Sequence, residues 1–319
     1  MRRITVNGRK NSMRIVFMGT PDFAVPCLEA LIQDGNEIVG VFTQPDKPKG
    51  RGYTLTPPPV KVCAEKYGIP VFQPVTLKNG EAFTKLSQLS PEMIIVVAYG
   101  KILPEEILSL PPFGCVNVHA SLLPEYRGAA PIQWAVLDGK TKTGVTAMYM
   151  DVGLDTGDML MKEELEIGEN ETASELHDRL SLLGAGLIVK TVHAAAEGRL
   201  VREKQDDSRS SYASMLTKEM SAVDFSKDAK RVHDLVRGLN SWPCASAVLN
   251  GKRVKLLRTV VTNGSGQPGQ VLSLDPFVVA CGSGAVEILE LQPEGKKKMA
   301  AKAFINGLHT KDAAELKFT

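Results

Sequence analysis

Hydrophobic and polar positions follow a strand-and-helix pattern over the first two-thirds of the chain. Thr20 and Pro21 after the first apolar run predict a helix cap and first helical position. Thr172 and Glu175 form a capping box, and leucines at helical spacing mark residues 176–187. Four runs are almost wholly apolar, which is typical of buried parallel strands: residues 14–18, 37–42, 93–98 and 116–118. The pattern predicts a doubly wound, Rossmann-like α/β domain with a mainly parallel sheet.

The last third of the chain has a different pattern. A short helix is predicted around 227–239, and glycine and proline then separate five strand-like runs: 245–249, 252–260, 269–274, 277–281 and 285–291. This predicts a small C-terminal β-barrel of the OB-like type. The predicted organisation is a disordered extension at 1–12, a first domain at 13–203, a polar linker at 204–211 and the barrel domain at 212–319. Met13, just before the first strand, is an alternative start.

Composition and charge narrow the class of protein. No apolar run reaches the roughly 20 residues that span a bilayer, and the basic first dozen residues lack the apolar segment of a secretory signal. Five scattered cysteines without a CxxC pair favour a reducing, cytoplasmic compartment. Residues 1–206 carry 22 Lys+Arg and 25 Asp+Glu, a net charge of −3, whereas residues 207–319 carry 16 and 11, a net charge of +5. The basic last third indicates a polyanionic partner.

Several common chemistries are not supported by the motifs. The first strand ends in Gly19 alone, where a dinucleotide-binding fingerprint needs three glycines, and Pro21 blocks the tight turn. Neither a P-loop nor a GxSxG elbow is present. The five histidines show no ligand spacing, so no metal site is predicted.

Asn117 and His119 stand near the end of an apolar strand, two residues apart. Alternation along a strand directs both side chains to one face, and ligands of open α/β sheets bind beyond the carboxyl ends of the strands. A carboxamide and a protonated imidazole there could both donate to an oxygen that gains charge, as acyl transfer requires. The alternative is structural, since buried polar groups are often simply satisfied by hydrogen bonds.

The stretch 148–157 predicts a strand that runs into a loop with two aspartates. Either Asp151 or Asp155 could hold a carboxylate against the imidazole, stabilise its charged form, or position a water for proton transfer. The residues themselves do not choose between the two aspartates. An ordinary Asp-Gly turn is the alternative interpretation.

The stretch 46–61 is a long loop rich in proline and glycine. It carries four cations: Lys47, Lys49, Arg51 and Lys61. Its length is unusual for a simple connection, and its composition alone favours a flexible, solvated insertion.

The motifs together resemble those of the folate-dependent formyltransferases. The resemblance runs from about residue 13 to the C-terminus and includes Asn117-x-His119 followed by Ser-Leu-Leu-Pro, and Asp155 in a Leu-Asp-Thr-Gly loop. Further matching segments are residues 19–24, 43–46, 97–100, 127–131, 150–158, 240–243 and 291–297. Within the family, the motifs are similar to those of members that act on methionyl-tRNA.

The resemblance implies an activity and its reactants. The expected reaction moves the formyl group of 10-formyltetrahydrofolate to the α-amine of methionyl-initiator-tRNA, with the acceptor stem as partner and without a metal. The expected protein is a cytoplasmic monomer. The alternative within the family is a small amine acceptor, either glycinamide ribonucleotide or a nucleotide-linked amino sugar.

The resemblance also assigns site residues. Asn117 and His119 are expected to stabilise the oxyanion, and Asp155 to support His119 and the proton transfers. The residues expected to bind folate are Val97, Tyr99, Ile102, Leu103, Ser121, Leu122, Leu123, Pro124, Asp151, Val152 and Leu154, with a candidate cis peptide at Leu123–Pro124. The tRNA contacts are expected at Lys47, Lys49, Arg51 and Lys61, in a loop that enters the acceptor stem, and in the basic C-terminal domain.

Overall fold

The computed structural model describes residues 12–49, 54–308 and 312–319. The extension predicted at 1–12 lies outside these residues except for its last position. The strands are β1 Arg14–Gly19, β2 Glu37–Phe42, β3 Lys47–Lys49, β4 Thr54–Thr56, β5 Val71–Phe72, β6 Met93–Val97, β7 Cys115–His119, β8 Arg127–Gly128, β9 Lys142–Tyr149, β10 Met159–Glu166, β11 Tyr212–Ala213, β12 Ala245–Leu249, β13 Lys252–Thr262, β14 Val271–Leu274, β15 Phe277–Ala280, β16 Ala285–Pro293 and β17 Met299–Ala300. The helices are α1 Val25–Gln33, α2 Pro59–Lys66, α3 Glu81–Leu89, α4 Glu105–Leu108, α5 Pro131–Leu137, α6 Ala173–Ala196, α7 Ala229–Gly238 and α8 Ala301–Asn306.

Seven strands form the sheet of the N-terminal part, in the order β10-β9-β7-β6-β1-β2-β5. The pairs β1–β2, β2–β5, β1–β6 and β6–β7 are parallel, and β9 runs antiparallel to β7. The chain builds outward from β1 to β5 on one side and then crosses to β6 on the other. The reversal places a topological switch point at the carboxyl ends of β1 and β6, where ligands of such sheets bind. The predicted Rossmann-like fold is confirmed.

The two faces of β7 have different roles. Cys115, Asn117 and His119 share one face, and Cys115 packs there into a buried apolar cluster with residues of β1 and β6. Val118 points to the other face, where a Cβ on Gly184 of α6 would lie 3.0 Å from its Cγ1 atom. This close approach of α6 favours glycine at that position. The polar pair therefore projects on the face opposite α6, at the strand's carboxyl end.

Two predicted helix starts have different outcomes. At α6 the capping box is confirmed, because the backbone N–H of Glu175 donates to Thr172 Oγ1 at 3.3 Å and that of Thr172 to Glu175 Oε2 at 2.9 Å. The predicted cap at Thr20 is wrong, since its hydroxyl donates to the carbonyl of Tyr99 at 3.0 Å. A 3₁₀ turn at Asp22–Ala24 follows instead, and α1 begins at Val25.

The C-terminal strands form an antiparallel sheet in the order β12-β13-β16-β15-β14, with β17 beside β16. Its two edges are joined by the last residues of the chain. Val248 and Thr319 exchange two backbone hydrogen bonds of 2.9 Å, and Phe318 donates to the carbonyl of Gly269 at 2.8 Å. This backbone bridging connects β12 to the segment that leads into β14. The strands themselves form an open antiparallel sheet, so the closed barrel stays a prediction.

The described residues fall into two compact units. One comprises the residues up to Gly128 with Gly144–Leu165 and Asp178–Tyr212, and the other comprises Ala129–Thr143, Glu166–His177 and the residues from Ala213 onward. The predicted boundaries at 203, 204–211 and 212 stay predictions. Within the described ranges, no helix is both long enough and apolar enough to cross a membrane.

His233 of α7 gives the second unit a pH-dependent stability. The residue is 1 % exposed, its Nε2–H donates to the carbonyl of Glu169 at 3.0 Å, and its Nδ1 accepts from the Thr259 hydroxyl at 2.9 Å. Burial lowers the pKa of His233 because it disfavours the charged imidazolium. The unfolded chain therefore binds a proton that the folded chain lacks just below pH ~6.5, so this residue makes stability fall as the pH falls through that window.

We expect His233→Gln to flatten the dependence of the free energy of unfolding on pH. Glutamine can donate to Glu169 and accept from Thr259, but it does not titrate. Urea unfolding at pH 7 and pH 5 measures the change, and the half-exposed His193→Gln, which removes an imidazole that pairs with Asp34, is measured as a comparison. An identical loss between the two pH values in wild type and His233→Gln would show that His233 is not the group responsible.

Candidate active site

Asn117 and His119 lie side by side near the carboxyl end of β7. Both are largely buried, at 9 % and 6 % exposure, and Asn117 is flanked by Val96 of β6 and Met148 of β9. Among the described residues, no protein group hydrogen-bonds the Asn117 carboxamide. A partly accessible amide without a protein partner retains its two N–H donors for a bound molecule.

The imidazole of His119 is oriented by a backbone carbonyl. Its Nε2 lies 2.8 Å from the carbonyl oxygen of Tyr126, and because a carbonyl only accepts, Nε2 carries a proton. Its Nδ1 faces Asp155 Oδ2 at 3.7 Å, which is beyond hydrogen-bond length but close for opposite charges. Because Nε2 already carries a proton, His119 can donate from Nδ1 only as the doubly protonated ring.

The two aspartates of the 150–158 loop have different partners. Asp155 Oδ2 accepts from the backbone N–H of Gly128 at 2.9 Å, on the side where it faces His119. Asp151 Oδ1 instead accepts from Gly153 N at 2.9 Å and from the Thr156 hydroxyl at 2.7 Å, within its own loop. The structure thus brings Asp155 to the imidazole, whereas Asp151 closes an Asx turn.

Left-handed backbone is concentrated around this site. Ala98, Tyr126 and Asp155 have φ values of 47°, 59° and 53°, although none is glycine. Such conformations are rare for these residue types and persist only when the surroundings hold them. Tyr126 and Asp155 supply the carbonyl and the carboxylate that face His119, so the uncommon backbone directly places two groups of the site.

Cys115 shares the face of Asn117 and His119 but is not a nucleophile. The residue is buried and its thiol approaches the carbonyl of Ile107 at 3.6 Å. Burial raises the pKa of Cys115 to about 12, so the reactive thiolate is not formed near neutral pH. Asn117, His119 and Asp155 remain the candidates for the chemistry of the site.

The eleven residues predicted to bind folate divide by exposure. Ile102, Val152 and Leu154 are 78 %, 76 % and 54 % exposed, which is unusual for large apolar side chains. Asp151 is also exposed and Leu122 is half-buried. The others are buried: Val97, Tyr99, Leu103, Ser121, Leu123 and Pro124.

The Ser121–Pro124 segment is fixed by hydrogen bonds. Ser121 Oγ donates to the carbonyl of Glu125 at 2.6 Å, and Ser121 O accepts from the Thr146 hydroxyl at 2.7 Å. Leu123 N donates to the same Thr146 hydroxyl oxygen at 3.2 Å. The predicted cis peptide at Leu123–Pro124 is confirmed. The segment is a rigid wall of the site, and the Ser121 hydroxyl is already engaged.

The cationic stretch 46–61 contains more order than its composition predicts. Lys47–Lys49 pairs antiparallel with Thr54–Thr56, and Lys47 is exposed. Lys61 is not a free cation, because its ammonium donates to Asp46 at 2.9 Å and to Gln73 at 3.1 Å. Hydrogen bonds from Gln73 and then Lys61 lower the pKa of Asp46. Arg51 lies outside the described residues.

Two groups of the site were not predicted from the sequence. Both are backbone groups, the carbonyl of Tyr126 and the N–H of Gly128, in the segment that leads into the Arg-Gly-Ala-Ala-Pro motif. The sequence motif marked this segment as of interest, but side-chain types do not reveal which backbone N–H and carbonyl groups contact the site. Over the residues that the structure describes, no cluster of His, Cys, Asp and Glu could hold a metal ion.

Sequence comparison places this fold and site in a known family. A sequence model described as formyl transferase matches residues 13–192, and one described as the formyl transferase C-terminal domain matches residues 215–309. The chain belongs to the formyl transferase family.

Its relatives narrow the class further. The chain is 52 % identical over 297 residues to a methionyl-tRNA formyltransferase of Citrifermentans bemidjiense. The alignment covers 92 % of this chain and 93 % of that protein. It is 51 % identical over 306 residues to a methionyl-tRNA formyltransferase of Geotalea daltonii, with 95 % and 98 % covered.

Solved structures of low sequence identity share the fold. An N-formyltransferase from Helicobacter canadensis, in complex with folinic acid and dTDP-3-aminofucose, aligns with a TM-score of 0.68 at 20 % identity, over 90 % of this chain and 100 % of that one. HypX from Aquifex aeolicus, in complex with tetrahydrofolic acid, aligns with a TM-score of 0.66 at 18 % identity. The alignment covers 93 % of this chain and 47 % of the HypX chain.

Proposed function

We propose that this chain transfers the formyl group of 10-formyltetrahydrofolate to the α-amine of methionyl-initiator-tRNA, which gives N-formylmethionyl-tRNA for translation initiation. The observation that supports it best is the identity of about half of all residues, over more than nine-tenths of both chains, to methionyl-tRNA formyltransferases. The amino-sugar formyltransferase shares only the fold at 20 % identity. A small amine as acceptor is therefore the weaker alternative.

The exposed apolar residues suit a planar heterocycle. Ile102, Val152 and Leu154 present exposed apolar area, and a bound pterin ring would remove it from water. Bound there, the folate supplies an activated formyl group on nitrogen. The buried wall at Ser121–Pro124 restricts where that group can lie.

Asn117 is assigned the role of oxyanion donor. When the α-amine nitrogen bonds to the formyl carbon, the formyl oxygen gains negative charge, and an N–H of Asn117 can donate to it. The donor is held in a strand between β6 and β9, so it need not reorganise as the charge forms. This is an interaction that strengthens toward the transition state, which is what accelerates the chemical step.

His119 and Asp155 are assigned the proton movements. The protonated ring donates from Nδ1, on the side that faces Asp155, while Nε2 stays on the Tyr126 carbonyl. Asp155 is a carboxylate beside His119, so it can accept the proton that the amine must lose. As the formyl carbonyl re-forms, the bond between the formyl carbon and the folate nitrogen breaks, and that nitrogen leaves as tetrahydrofolate after taking up a proton in exchange for the one that the amine loses. The separation of 3.7 Å between Nδ1 and Oδ2 leaves both groups available to a ligand.

The segment 46–61 is assigned to the tRNA acceptor stem, with Lys47, Lys49 and Arg51 as its contacts and Lys61 at its base. The ion pair with Asp46 suits Lys61 to hold the segment in place. The basic last third supplies phosphate contacts, which weaken with salt. The protein acts as a cytoplasmic monomer, and its five cysteines are free thiols, as a reducing compartment favours.

Arg51→Leu is expected to weaken productive use of methionyl-tRNA by about 10- to 100-fold in kcat/KM, because a guanidinium can contact phosphate or guanine bidentately. The affinity for folate should not change. The exposed Lys78→Leu provides the control for loss of one positive charge. Equal kcat/KM values for Arg51→Leu and Lys78→Leu would contradict a specific tRNA contact.

Competition between acceptors tests the proposed function. The enzyme is incubated with 10-formyltetrahydrofolate and an equimolar mixture of methionyl-tRNA, glycinamide ribonucleotide and a nucleotide-linked amino sugar, and each product is measured by mass. We expect the formyl group on the α-amine of methionine, in methionyl-tRNA alone. Formylation of a small amine in preference to methionyl-tRNA would replace the proposal with its alternative.

A further inference from the structure

The segment that follows α6 lies against the site, although its polar sequence predicts a linker. Gln205 in this segment is only 7 % exposed, which is unusual for a side chain with three hydrogen-bonding positions. Ser211 contacts the same region, since its hydroxyl accepts from Tyr126 N at 2.8 Å and its carbonyl from Arg127 N at 2.9 Å. Residues 205–211 therefore hydrogen-bond to the backbone segment whose carbonyl orients His119.

Gln205 uses both N–H donors and the carbonyl oxygen of its carboxamide. Its Nε2 donates to the carbonyl of Asp155 and to the carbonyl of Gly157, both at 2.8 Å. Its Oε1 accepts from Arg127 Nε at 2.9 Å, and Arg127 also donates from a terminal nitrogen to Asp207 at 2.7 Å. The amide therefore joins the turn of the Asp155 loop to the strand that contains Gly128.

The turn to which Gln205 donates has an uncommon and closely packed backbone. Asp155 has a left-handed φ of 53°, and a Cβ at Gly157 would lie 1.8 Å from the carbonyl oxygen of Tyr149. The loop is therefore constrained at residue 157 by close packing and at residue 155 by an uncommon backbone conformation. Gln205 bonds to the carbonyls of both residues, so it fixes the turn that carries the Asp155 carboxylate.

We infer that Gln205 is a positioning residue for formyl transfer, which acts through Asp155 by holding its carboxylate against His119. The inference rests on the proposed function. Gln205 makes no contact with the reacting groups itself. Its carboxamide sets the backbone of Asp155, while Gly128 N sets one oxygen of the carboxylate. Both constraints are required to keep Oδ2 3.7 Å from Nδ1 of His119.

Gln205→Glu tests the inference with the smallest change of shape. Glutamate keeps an acceptor for Arg127 but loses both N–H donors to Asp155 and Gly157, and places a carboxylate beside their carbonyl oxygens. We expect kcat for methionyl-tRNA to fall by about 10- to 100-fold, because small misplacements of reacting groups have effects of this size. The KM values for folate and methionyl-tRNA should stay within a few-fold of wild type.

The pH dependence separates positioning from a loss of fold. When the Asp155 carboxylate moves away from His119, the proton acceptor and the imidazole no longer act together, so the shape of the pH–rate profile should differ from that of wild type. A purely structural role would lower the fraction of folded enzyme and leave the profile of the remaining enzyme unchanged. Rates are therefore expressed per folded molecule, from circular dichroism at the assay temperature.

Asp207→Asn is the matched control. It removes the charge of the other Arg127 partner, whose side chain is 84 % exposed, and leaves Gln205 in place. We expect its kcat and its pH–rate profile to match wild type. If Gln205→Glu does not fold, Gln205→Met, which retains the length without any donor, is assayed instead with the same expectation.

Two results would decide against the inference. Wild-type kcat and pH–rate profile per folded molecule in the Gln205 variant would show that Asp155 is placed without it. The same loss in Asp207→Asn would assign the effect to Arg127. Failure of wild type itself to formylate methionyl-tRNA would instead overturn the proposed function, so the two failures are distinguishable.

Discussion

Replacement of Asn117 with alanine is expected to lower kcat for formylation of methionyl-tRNA by about 10²–10³, the usual effect of removing one oxyanion donor. The KM values for 10-formyltetrahydrofolate and methionyl-tRNA should change by only a few-fold, because the donor is needed mainly when negative charge develops. The side chain has no protein partner among the described residues, so its removal leaves no buried group unpaired. Steady-state kinetics with both substrates varied measures the effect.

Asn79→Ala provides the control for loss of a carboxamide. Asn79 is exposed in the turn before α3, where it bonds only to Glu81. We expect its kinetic constants to be those of wild type. A kcat for Asn117→Ala within threefold of that for Asn79→Ala would remove the oxyanion role from Asn117 and leave the site without its main donor.

Asp155→Asn is expected to produce the other large effect, a fall in kcat of about 10²–10⁴, because a positioned proton acceptor contributes rate factors of this size. Asparagine can still accept from Gly128 N, so the loop should keep its conformation. Asparagine has no basic oxygen to accept the proton that the amine must lose. Steady-state kinetics at saturating concentrations of both substrates measures the fall in kcat.

Asp151→Asn discriminates between the two aspartates that the sequence left open. Its Oδ1 can still accept from Gly153 and Thr156, so the Asx turn is retained. We expect a loss of kcat below tenfold, with any larger effect confined to the KM for folate. A greater loss of kcat in Asp151→Asn than in Asp155→Asn would reverse the assignment of the proton acceptor.

Much of the fold follows from local pattern. The apolar runs at β1, β2, β6 and β7 predict the parallel strands nearly to the residue, because strands covered by other elements on both faces are mainly apolar along their length. The Thr172–Glu175 capping box predicts the start of α6 for a similar reason, since its hydrogen bonds are local. The five C-terminal runs predict the antiparallel strands, but not the bridging by residues 316–319, which joins distant segments.

The chemistry of the site is only partly local. Asn117 and His119 are two residues apart on one strand, so their common face follows from alternation. The choice of Asp155 over Asp151 depends on how a loop folds back to Gly128, which no spacing reveals. Gln205 is less predictable still, because it is a polar residue in a polar stretch, buried by contacts with residues about 50 positions away. Thr20 resembles a helix cap because Ser and Thr favour that position, but its tertiary bond to Tyr99 overrides the preference.

Asn117, His119 and Asp155 are proposed to transfer a formyl group to methionyl-tRNA. This can be tested by a single turnover with formyl-labelled 10-formyltetrahydrofolate, with enzyme in excess and methionyl-tRNA as acceptor. We expect wild type to move the label to the α-amine of methionine, and Asn117→Ala to do so about 10²–10³ times more slowly at saturating substrates. Transfer at equal rates by the two enzymes, or no label on methionyl-tRNA with wild type, would contradict it.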